Sequence, residues 1–594
     1  MYLSRVQIKN LRNFRDLDVT LSGDMVMVGE NRVGKSNFIF ALRLVLDAGV
    51  SDAVRQLKLA DIFDGADLSK DPKVEVHLDF REFDKDLSLL ALLTDYRLPA
   101  DHNIARLSYV FTKRADVQGP AGSDADYEFK VFGGDDETRT IRTEVRRRIS
   151  LTLLPALRDA ENDLASWRSS PLRPLLEDAI STVPGNELAA VANDLTAAAN
   201  KLGALAPIKA LEGKLRGDIA TLSGSTQDIK AKLGFGPSDP LRLFRSIGLY
   251  IDDGKRGIAD ASLGSSNLAL LALRLAEFEW RKTKNERNFT FLCIEEPEAH
   301  LHPHLQRKVF KELFKEDPNK DRSLLLTTHS PNVVSVAPLR SVVLLRPSEE
   351  GTKGYSLAKL DLAPSELEDL QRYINTTRAD LLFSRAVIFV EGDSEEALLP
   401  VFASSLGHDL DELGVTVCNV AGTNFSPYVK LALALGIRHA VVTDWDPLDG
   451  SKPPLGKGRA LGLLDDRLAA RGIKPLPQGQ RANLEKMTDV DFRARMSALG
   501  VFLNSSTLEL EVANSSNIRD PLLSILEDEK FGSIRRKRIK GWKAGTTPID
   551  AEQLLAMVAD IGKGRLAGRL AAKAVGLPPP GYIDAAIKHV LKNV

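Results

Sequence analysis

One stretch near the start of the chain carries residue types suited to holding a chain of phosphates. Gly29-Glu30-Asn31-Arg32-Val33-Gly34-Lys35-Ser36 matches the pattern GxxxxGK[ST]; the apolar run Met25–Val28 precedes it and the helical stretch Asn37–Leu46 follows it. In such a loop the backbone N–H groups and the helix end hold phosphates, a lysine reaches the outer phosphates and a hydroxyl holds Mg²⁺. We therefore predict that the loop binds ATP with one Mg²⁺. The predicted contact residues are Gly29, Asn31, Gly34, Lys35, Ser36 (which also binds the metal) and Asn37.

Two acids and a histidine far downstream have the chemistry to complete a nucleotide site. Phe289–Ile294 reads as a buried strand that ends in Glu295 and Glu296, and His329 follows the next strand. An acid at a strand tip can order the Mg²⁺ shell, and the next acid can activate water for attack on the γ-phosphate. We assign these roles to Glu295 and Glu296 and predict that His329 contacts the γ-phosphate.

Small residues open a helix between these two motifs. Ser262 and Gly264 in Ser262-Leu263-Gly264-Ser265-Ser266-Asn267 leave helix N–H groups accessible to an anion. Together with the motifs above, this pattern resembles the head of ATP-binding-cassette ATPases of the RecF and SMC type. In those proteins the serine-glycine helix of one subunit caps ATP bound to the other. The resemblance implies a homodimer in which Ser262 and Gly264 contact the nucleotide of the second copy.

Three histidines at alternate positions follow the acidic pair. His300, His302 and His304 stand in EEPEAHLHPHLQ. Their spacing is compatible with zinc, but this is also the place where cassette ATPases carry the loop that contacts the partner head. The dimer-contact interpretation is favoured and the zinc interpretation stays open.

A second group of acids lies in the C-terminal half. Ala386–Val390 reads as an apolar strand ending in Glu391, and Glu395 comes one helical turn later. The strand Ala440–Thr443 ends in Asp444-Trp445-Asp446. Acids at the tips of parallel strands meet at the carboxyl edge of a sheet. Four carboxylates so close together need cations, and hard oxygen ligands favour Mg²⁺ or Mn²⁺ over zinc.

A strand-end Glu followed by a strand-end DxD resembles the Toprim fold of topoisomerases, primases and certain nucleases. Glu509 and Glu511 in TLELE have the spacing of one strand face and are predicted to complete a second metal site. Lys563 in GKGR is predicted to hold the scissile phosphate.

An ATPase of the cassette type joined to a Toprim domain resembles the OLD (overcoming lysogenization defect) family of nucleases, which includes the nuclease subunit of Gabija anti-phage systems. The resemblance rests on GENRVGKS, IEEPEAHLHP, TTHSP, VEGDSEE, TDWDP, TLELE and GKGR. It implies a metal-dependent DNA endonuclease or exonuclease that uses ATP, dimerises through its heads, works by two-metal catalysis in anti-phage defence or DNA repair, and has a helicase as a candidate partner. The implied Toprim residues are the metal ligands Glu391, Glu395, Asp444, Asp446, Glu509 and Glu511, with Lys563 beside Glu391 and Asp444 in catalysis. Two other hypotheses remain: a topoisomerase-like enzyme, and an ATP-switched DNA clamp like RecF.

The most basic window of the chain is Arg535–Lys543, RRKRIKGWK, in which six of nine residues are cations. Such a window can neutralise phosphates, and its Trp542 is a candidate for stacking on a base. A solvated helix face is the alternative.

Composition excludes several classes of protein. A net charge of −1 argues against a histone-like coat, although a local basic groove remains compatible with it. Two separated cysteines form no disulfide framework, and no apolar run reaches the roughly 18 residues that cross a bilayer. We expect a cytoplasmic protein without membrane contact.

The strand and helix patterns around these residues predict an α/β protein. We expect an N-terminal cassette-type ATPase head in residues 1–150 and 236–350, interrupted by a helical insert at 151–235 for dimerisation. A linker at 351–380 would lead to a Toprim domain with helical additions at 381–594. Within the insert, Leu188, Val191, Leu195, Ala198 and Leu202 follow the spacing of a packed helix seam. That seam faces either the core of its own chain or a second subunit.

Overall fold

The computed structural model describes residues 1–155, 170–223, 232–233, 244, 247–258, 261–315, 321–374, 376–448 and 452–592. The chain divides into two units. Met1–Leu154 together with Phe289–Val594 forms the first, and Pro155–Asn288 forms the second. Both proposed active sites apart from the Ser262 helix therefore belong to the first unit.

The strands in chain order are β1 Tyr2–Leu11, β2 Phe14–Thr20, β3 Met25–Gly29, β4 Val74–Arg81, β5 Arg97–Leu98, β6 Asp101–Lys113, β7 Tyr127–Gly133, β8 Ile149–Leu154, β9 Tyr250–Ile251, β10 Arg256–Gly257, β11 Phe289–Glu295, β12 Arg322–Thr327, β13 Val342–Arg346, β14 Lys353–Ser356, β15 Ala386–Val390, β16 Val415–Asn419, β17 Arg438–Thr443 and β18 Val501–Leu503. The α-helices of the first unit span Lys35–Leu46, Asp52–Arg55, Leu87–Leu93, Thr143–Arg148, Pro303–Leu313, Pro331–Val334, Pro364–Tyr373, Asp393–Ser405, Ser426–Ala434, Leu455–Ala470, Gln478–Glu485, Asp489–Ser497, Leu508–Asn514, Arg519–Asp528, Ser533–Lys543, Ala551–Ile561, Lys563–Lys573 and Gly581–Leu591.

An antiparallel sheet forms the N-terminal part of the first unit. Its strands run in the order β2-β1-β4-β6-β5, and β7 also pairs with β6. The alternation of β1 and β4 places Val6, Ile8 and Val76 in the core, as a sheet with one packed face requires. This core is continuous with the helix that follows the phosphate loop.

The sheet that carries the phosphate loop is mostly parallel, with the order β14-β13-β3-β12-β11-β8. Its strands β13, β3, β12 and β11 are buried apolar runs, as expected for parallel strands covered on both faces. Only β14 runs antiparallel, against β13. Because β3, β12 and β11 are parallel neighbours, the loops after all three emerge at one edge of the sheet. The predicted nucleotide residues of the first unit stand on those loops.

The C-terminal part contains a parallel sheet with the order β16-β15-β17-β18. The predicted strand Ala386–Val390 agrees with β15 residue by residue. β15 and β17 are neighbours, so the residues after Val390 and Thr443 meet at the carboxyl edge. The helix Asp393–Ser405 and the helices from Leu508–Asn514 to Gly581–Leu591 bury their apolar faces against this sheet and each other. The predicted fold class, a cassette-type ATPase head followed by a Toprim region with helical additions, is confirmed.

The second unit is helical over much of its described length. Its α-helices span Leu172–Ser181, Gly185–Gly203, Ala206–Ser223 and Leu263–Thr283, and β9 pairs with β10. The predicted seam lies on the second of these helices, but Val191 and Leu202 are exposed, as is Leu211 on the next helix. The interpretation in which the seam faces its own core is therefore wrong for these residues.

Several domain boundaries differ from those predicted. β8 pairs with β11, so residues 151–154 belong to the ATPase sheet and not to the insert. The predicted linker at 351–380 contains β14, which extends the ATPase sheet, and the helix Pro364–Tyr373. The predicted end of the insert at 235 lies outside the described residues. Among the described helices, none combines the length and apolar character needed to cross a membrane.

Candidate functional site

The phosphate loop leaves β3 at Gly29 and enters its helix at Lys35. Gly34 has a φ of 103°, a region that favours glycine. A Cβ at Gly34 would lie 2.1 Å from Nδ2 of Asn13, so this close approach also requires glycine. Both observations agree with the predicted role of Gly34 in the loop.

Two residues that the sequence analysis did not select, Asn13 and Thr352, hydrogen-bond to the phosphate loop. The Asn13 amide donates to the Val33 carbonyl (2.7 Å) and accepts from Asn37 Nδ2 (2.6 Å). Thr352 Oγ1 donates to the same Val33 carbonyl at 2.9 Å. Asn37, predicted to contact nucleotide, is therefore also a support of the loop. No local pattern marks Asn13 or Thr352, because they come from the β1–β2 turn and from just before β14.

Lys35 is buried, and its ammonium donates to the carbonyls of Gly29 (2.9 Å) and Glu30 (3.0 Å). Burial lowers the pKa of Lys35 to about 8, although Glu296 and Glu298 act in the opposite direction. A phosphate chain would supply the negative charge that this buried ammonium lacks. Asn31 and Ser36 are exposed on the same loop and so are open to a ligand.

The acids after β11 and the histidine after β12 lie close together, as predicted. Oε1 of Glu296 is 3.9 Å from His329 Nε2, and Glu295 ends β11 beside Thr327 of β12. Burial, followed by the charge of Lys35, lowers the pKa of His329. A neutral imidazole can accept or donate a hydrogen bond near the γ-phosphate. The geometry thus joins Lys35, Glu296 and His329 in one site.

Glu298, which the sequence interpretation did not select, holds the histidine loop. Its carboxylate accepts from the Thr328 hydroxyl (2.8 Å) and from the His329 N–H (2.7 Å). Gln306 fixes the same loop, since its side chain donates to the Leu301 carbonyl and accepts from Ser330 Oγ. Glu298 is therefore a positioning residue for His329.

The three alternate histidines follow on this loop. The rings of His302 and His304 stack with their centroids 5.4 Å apart, and His304 Nδ1 contacts the Arg307 guanidinium at 2.7 Å. Over the described ranges, no three His, Cys, Asp or Glu side chains converge on one ion position. The arrangement gives no support to zinc at His300, His302 and His304, and the dimer-contact role stays a prediction.

The predicted capping helix belongs to the second unit. Ser262 is its N-cap and accepts from the Ser265 N–H at 3.3 Å. Gly264 is buried in the first turn, and Ser266 donates to the Ile258 carbonyl at 3.1 Å. The helix start has the predicted small residues, and its contact with nucleotide stays a prediction.

In the C-terminal sheet, Glu391 and Asp444 meet at the tips of β15 and β17. Glu391 Oε1 accepts from the Asp444 N–H at 2.9 Å and from the Thr443 hydroxyl. Asp444 Oδ1 accepts from Asn504 Nδ2 at 2.5 Å and from the Leu508 N–H at 3.1 Å. Asn504, a buried residue that was not predicted, also accepts from the Trp445 N–H at 2.9 Å. It therefore fixes the whole DxD turn.

Two of these acids are strongly perturbed. Burial, followed by the charges of Asp444, Glu509 and Glu391, raises the pKa of Glu395 to about 8. Burial, followed by Glu391, raises the pKa of Asp444 to about 7, and Asn504 partly offsets this. Both shifts follow from burial and from the nearness of the other carboxylates, and divalent cations would favour the ionised forms.

Glu509 and Glu511 are near the cluster, but the predicted strand is a helix. Leu508–Asn514 is α-helical, because Leu508 and Val512, four residues apart, bury one face. Residues i and i+2 diverge on a helix, so the two acids do not share a face. Glu509 is buried with Oε1 3.3 Å from Lys563 Nζ, and its Oε2 has no hydrogen-bond partner. Glu511 instead accepts from the Ser505 N–H at 2.6 Å.

Lys563, predicted to hold the scissile phosphate, begins the helix Lys563–Lys573. Burial opposes its charge, but Glu509, Asp444 and Glu395 outweigh burial and raise its pKa. The Lys563 side chain is 60% exposed, so its ammonium contacts both the acids and the solvent.

The donor set fits Mg²⁺ or Mn²⁺. It consists of carboxylate oxygens, and the unpartnered buried Oε2 of Glu509 is an acceptor that a cation would satisfy. In the described chain, however, no three acids converge on one ion position with the side chains as they stand. Asp446, predicted as a ligand, is held by Arg459 Nη2 at 2.7 Å.

The basic window forms the helix Ser533–Lys543. Arg535 pairs with Asp560, and Lys543 pairs with Glu527 at 2.8 Å. Lys537 and Lys540 are exposed. Trp542 is buried in the core with only 2% of its surface exposed, so the expectation that it stacks on a base is wrong. Ile539 and Trp542 lie three residues apart and anchor the same helix face.

The ATPase and Toprim parts of the first unit touch beside the phosphate loop. Arg385, at the entry to β15, contacts Glu30 of the loop at 2.8 Å. Arg346 is a stronger link, since it donates to the carbonyls of Arg385 (2.7 Å) and Gly436 (3.2 Å). A cavity of about 450 Å³ lies here between Gly29 and His329 on one side and residues 380–416 on the other.

Comparisons with known proteins agree with this organisation. Residues 25–335 match the family described as "AAA domain, putative AbiEii toxin, Type IV TA system". Residues 382–446 match "Overcoming lysogenization defect protein-like, TOPRIM domain".

Two relatives resemble the chain over most of its length. Endonuclease GajA of Bacillus cereus (strain VD045) is 24% identical over 556 residues, which cover 89% of this chain and 92% of the relative. The OLD nuclease of Thermus scotoductus is 24% identical over 549 residues, which cover 88% of this chain and 94% of the relative. A solved structure, the C-terminal region of the Burkholderia pseudomallei OLD protein, is 35% identical with a TM-score of 0.29; the match covers 35% of this chain and 97% of that one. The two family matches and the two relatives, taken with the phosphate loop and the acids at the tips of β15 and β17, mean that the chain belongs to the OLD family of ATPase–Toprim nucleases.

Proposed function

We propose that this protein binds and hydrolyses ATP and cuts DNA with divalent metal ions in its Toprim domain. The observation that carries the proposal is the group of neighbouring carboxylates Glu391, Glu395 and Asp444, in which burial, followed by the charges of nearby acids, raises the pKa of Glu395 and of Asp444. Without cations, such a group of carboxylates lowers the stability of the folded protein. Its presence therefore argues for a catalytic metal site.

The residues proposed to hold the ions are Glu391, Glu395, Asp444, Asp446 and Glu509. Two divalent ions in a carboxylate site lower the pKa of the attacking water and stabilise the leaving oxygen of a phosphodiester. Asn504 and Thr443 orient Asp444 and Glu391 for this task. Lys563 can exchange its contact with Glu509 for the scissile phosphate, because its ammonium is partly exposed. Glu511 is bonded to Ser505, so its proposed role as a ligand requires that bond to break.

In the ATPase part, Lys35 is proposed to bind the outer phosphates and Ser36 to bind Mg²⁺. Glu295 would order the metal shell, Glu296 would activate water, and His329 would contact the γ-phosphate. The 3.9 Å approach of Glu296 to His329 supports a shared site.

We further propose a homodimer formed through the ATPase heads and the helical insert. The exposed Val191 and Leu202 on one helix and Leu211 on the next support a protein contact at the insert. Replacing Val191 and Leu202 by Asp should convert dimers to monomers in light scattering, whereas unchanged dimers would remove the insert from the interface. Involvement of a helicase and a setting in anti-phage defence or DNA repair rest on the family resemblance.

A topoisomerase-like reaction has less support. Burial raises the pKa of Tyr428 to about 12, and burial followed by Glu395 raises that of Tyr582 far above its usual value. Neither hydroxyl is poised as a nucleophile, and both are buried. A covalent protein–DNA adduct after denaturation would favour the topoisomerase over the nuclease.

The test compares DNA cutting and ATP hydrolysis in the same preparations, with Mg²⁺, Mn²⁺ or EDTA. Glu391→Ala and Asp444→Ala should lose cutting by on the order of 10³-fold or more, while ATP hydrolysis continues. Glu412→Ala is the matched control, because Glu412 is an exposed acid of the same part of the chain. Undiminished cutting by both cluster variants would overturn the assignment of the nuclease to this domain, and so would absence of cutting by the wild-type protein in either metal.

A further inference from the structure

Arg459 is placed at the acid cluster by an unusually close helix contact. It is the fifth residue of the helix Leu455–Ala470, whose N-terminus packs on the DxD turn. The N–H groups of Leu455 and Gly456 donate to the carbonyls of Asp446 (3.1 Å) and Trp445 (3.0 Å). A Cβ at Gly456 would lie 2.5 Å from the Asp444 carbonyl oxygen, so this approach requires glycine. The helix therefore holds Arg459 over the turn that carries Asp444 and Asp446.

The guanidinium of Arg459 lies between acids from both strand tips. Its Nη2 is 2.7 Å from Asp446 Oδ2 and 3.5 Å from Glu391 Oε1, and it also donates to the Asp444 carbonyl. Only 15% of the side chain is exposed, and Nε is buried without a hydrogen-bond partner. Arginine keeps its charge in proteins, so this is a permanent cation.

A cation in this position competes with a metal ion. A divalent ion shared by Glu391 and Asp446 would need the oxygen atoms that now face Arg459. It would also be repelled by a guanidinium that remained in place. In the described part of the chain no three acids converge on one ion position, and Arg459 lies between two of the acids that are proposed to do so. Lys563 makes a comparable contact with Glu509, but it is far more exposed and can move away more readily.

We propose that Arg459 is a positioning residue that occupies the metal site in the metal-free protein, and that it must release Asp446 before a divalent ion binds there. Arg459 thereby sets the metal concentration at which the site fills. This inference rests on the proposed function, because it assumes that the acid cluster binds metal. Neither the sequence motifs nor the predicted acidic ligands had indicated a role for Arg459.

The test is a Mn²⁺ titration of the full chain without nucleotide or DNA, followed by the electron paramagnetic resonance signal of free Mn²⁺. Arg459→Met keeps the aliphatic volume and removes the competing charge, so the cluster should bind Mn²⁺ tighter by roughly tenfold or more. Arg459→Lys should bind tighter by a smaller factor, because the ammonium keeps a cation at the site but is more strongly hydrated and stands on a more flexible side chain than the guanidinium. Arg481→Met removes another arginine paired with an aspartate, Asp465, away from the cluster, and should match the wild type. The Mg²⁺ concentration for half-maximal DNA cutting should fall in parallel for Arg459→Met.

Equal or weaker Mn²⁺ binding by folded Arg459→Met would overturn the inference, and weaker binding would show that Arg459 arranges Asp446 for the metal. If Arg459→Met fails to fold, Arg459→Lys decides by the same criterion. Asp446→Asn and Glu391→Gln separate this outcome from failure of the proposed function. If the wild-type protein shows no Mn²⁺ binding that these two variants weaken, the metal site itself is refuted.

Discussion

Asn504 offers a sharp test of how the metal cluster is built. Its amide group donates to Asp444 Oδ1 at 2.5 Å and accepts from the Trp445 N–H at 2.9 Å. Asn504→Ala removes both bonds and leaves the Asp444 carboxylate and the Trp445 N–H with fewer partners in a buried place. A hydrogen bond to a charged group contributes about 1.5–3 kcal/mol and a neutral one about 0.5–1.5 kcal/mol, so we expect a loss of about 2–4 kcal/mol in the free energy of unfolding.

The same substitution should change the pH dependence of cutting. Asn504 lowers the pKa of Asp444, which burial otherwise raises to about 7. Without Asn504 this pKa rises further, so the ionised ligand forms only at higher pH and the acidic limb of the cutting profile should move upward. The sign for stability follows from the same shift. A raised carboxyl pKa in the fold gives stability at low pH that is lost as pH rises through about 7. The destabilisation of metal-free Asn504→Ala should therefore be larger at pH 8 than at pH 5.

The assay pairs denaturation midpoints of the metal-free protein with cutting rates between pH 6 and pH 9 at a fixed Mg²⁺ concentration below saturation, because saturating metal would keep the Asp444 carboxylate ionised. Asn514→Ala, at an exposed asparagine of the adjacent helix, is the control. ATP hydrolysis serves as an internal check, since Asn504 follows a strand of the C-terminal sheet and the phosphate loop follows a strand of another sheet. If Asn504→Ala has the midpoint and the pH profile of Asn514→Ala, the role given to Asn504 is wrong.

Three further predictions concern single side chains. Lys35→Ala should reduce ATP turnover by at least ~10²-fold, because it removes the buried ammonium from the outer phosphates; near wild-type turnover would remove Lys35 from the site. Glu296→Gln should keep ATP binding, measured with a fluorescent analogue, and slow hydrolysis strongly, because only the water-activating carboxylate is lost; hydrolysis at the parental rate would disprove that role. Glu395→Gln should stabilise the metal-free protein by about 1–3 kcal/mol at pH 8, since the pKa of Glu395 is raised to about 8 and its charged form is costly there. That gain should shrink towards pH 5, where Glu395 is neutral in the fold, and a gain independent of pH would contradict the cause given.

The sequence was most informative where a motif is contiguous. The phosphate loop, its strand and its helix are encoded in one short segment, so their positions agree with the structure. The apolar runs of β15 and β17 likewise end directly before Glu391 and Asp444. Because the carboxyl ends of parallel neighbouring strands lie at one edge of the sheet, the sequence predicted that these two acids meet.

Supporting residues were not predictable in this way. Asn13, Thr352, Asn504 and Arg459 reach their sites through long-range packing, and none has a distinctive neighbouring sequence. Their contacts depend on tertiary approach, such as that of Gly456 to the Asp444 carbonyl. Prediction from the local sequence also failed where the two-residue period of a strand and the four-residue spacing of a helix overlap in one segment. TLELE alternates like a strand, but the four-residue repeat of Leu508 and Val512 belongs to the helix that forms.

The Arg346 contacts bear on how such proteins can be recombined. A Toprim half transplanted from another member of the family would arrive with its own residues at the positions of Arg385 and Gly436. Arg346 contacts only backbone carbonyls there, so it would tolerate most replacements. Gly436 is more demanding, because a Cβ at this position would lie 2.6 Å from the ring of Tyr355. Chimaeras should therefore succeed when glycine at 436 and the aromatic ring at 355 are inherited together, and a mismatch at the half-exposed Glu30–Arg385 pair should be a minor defect.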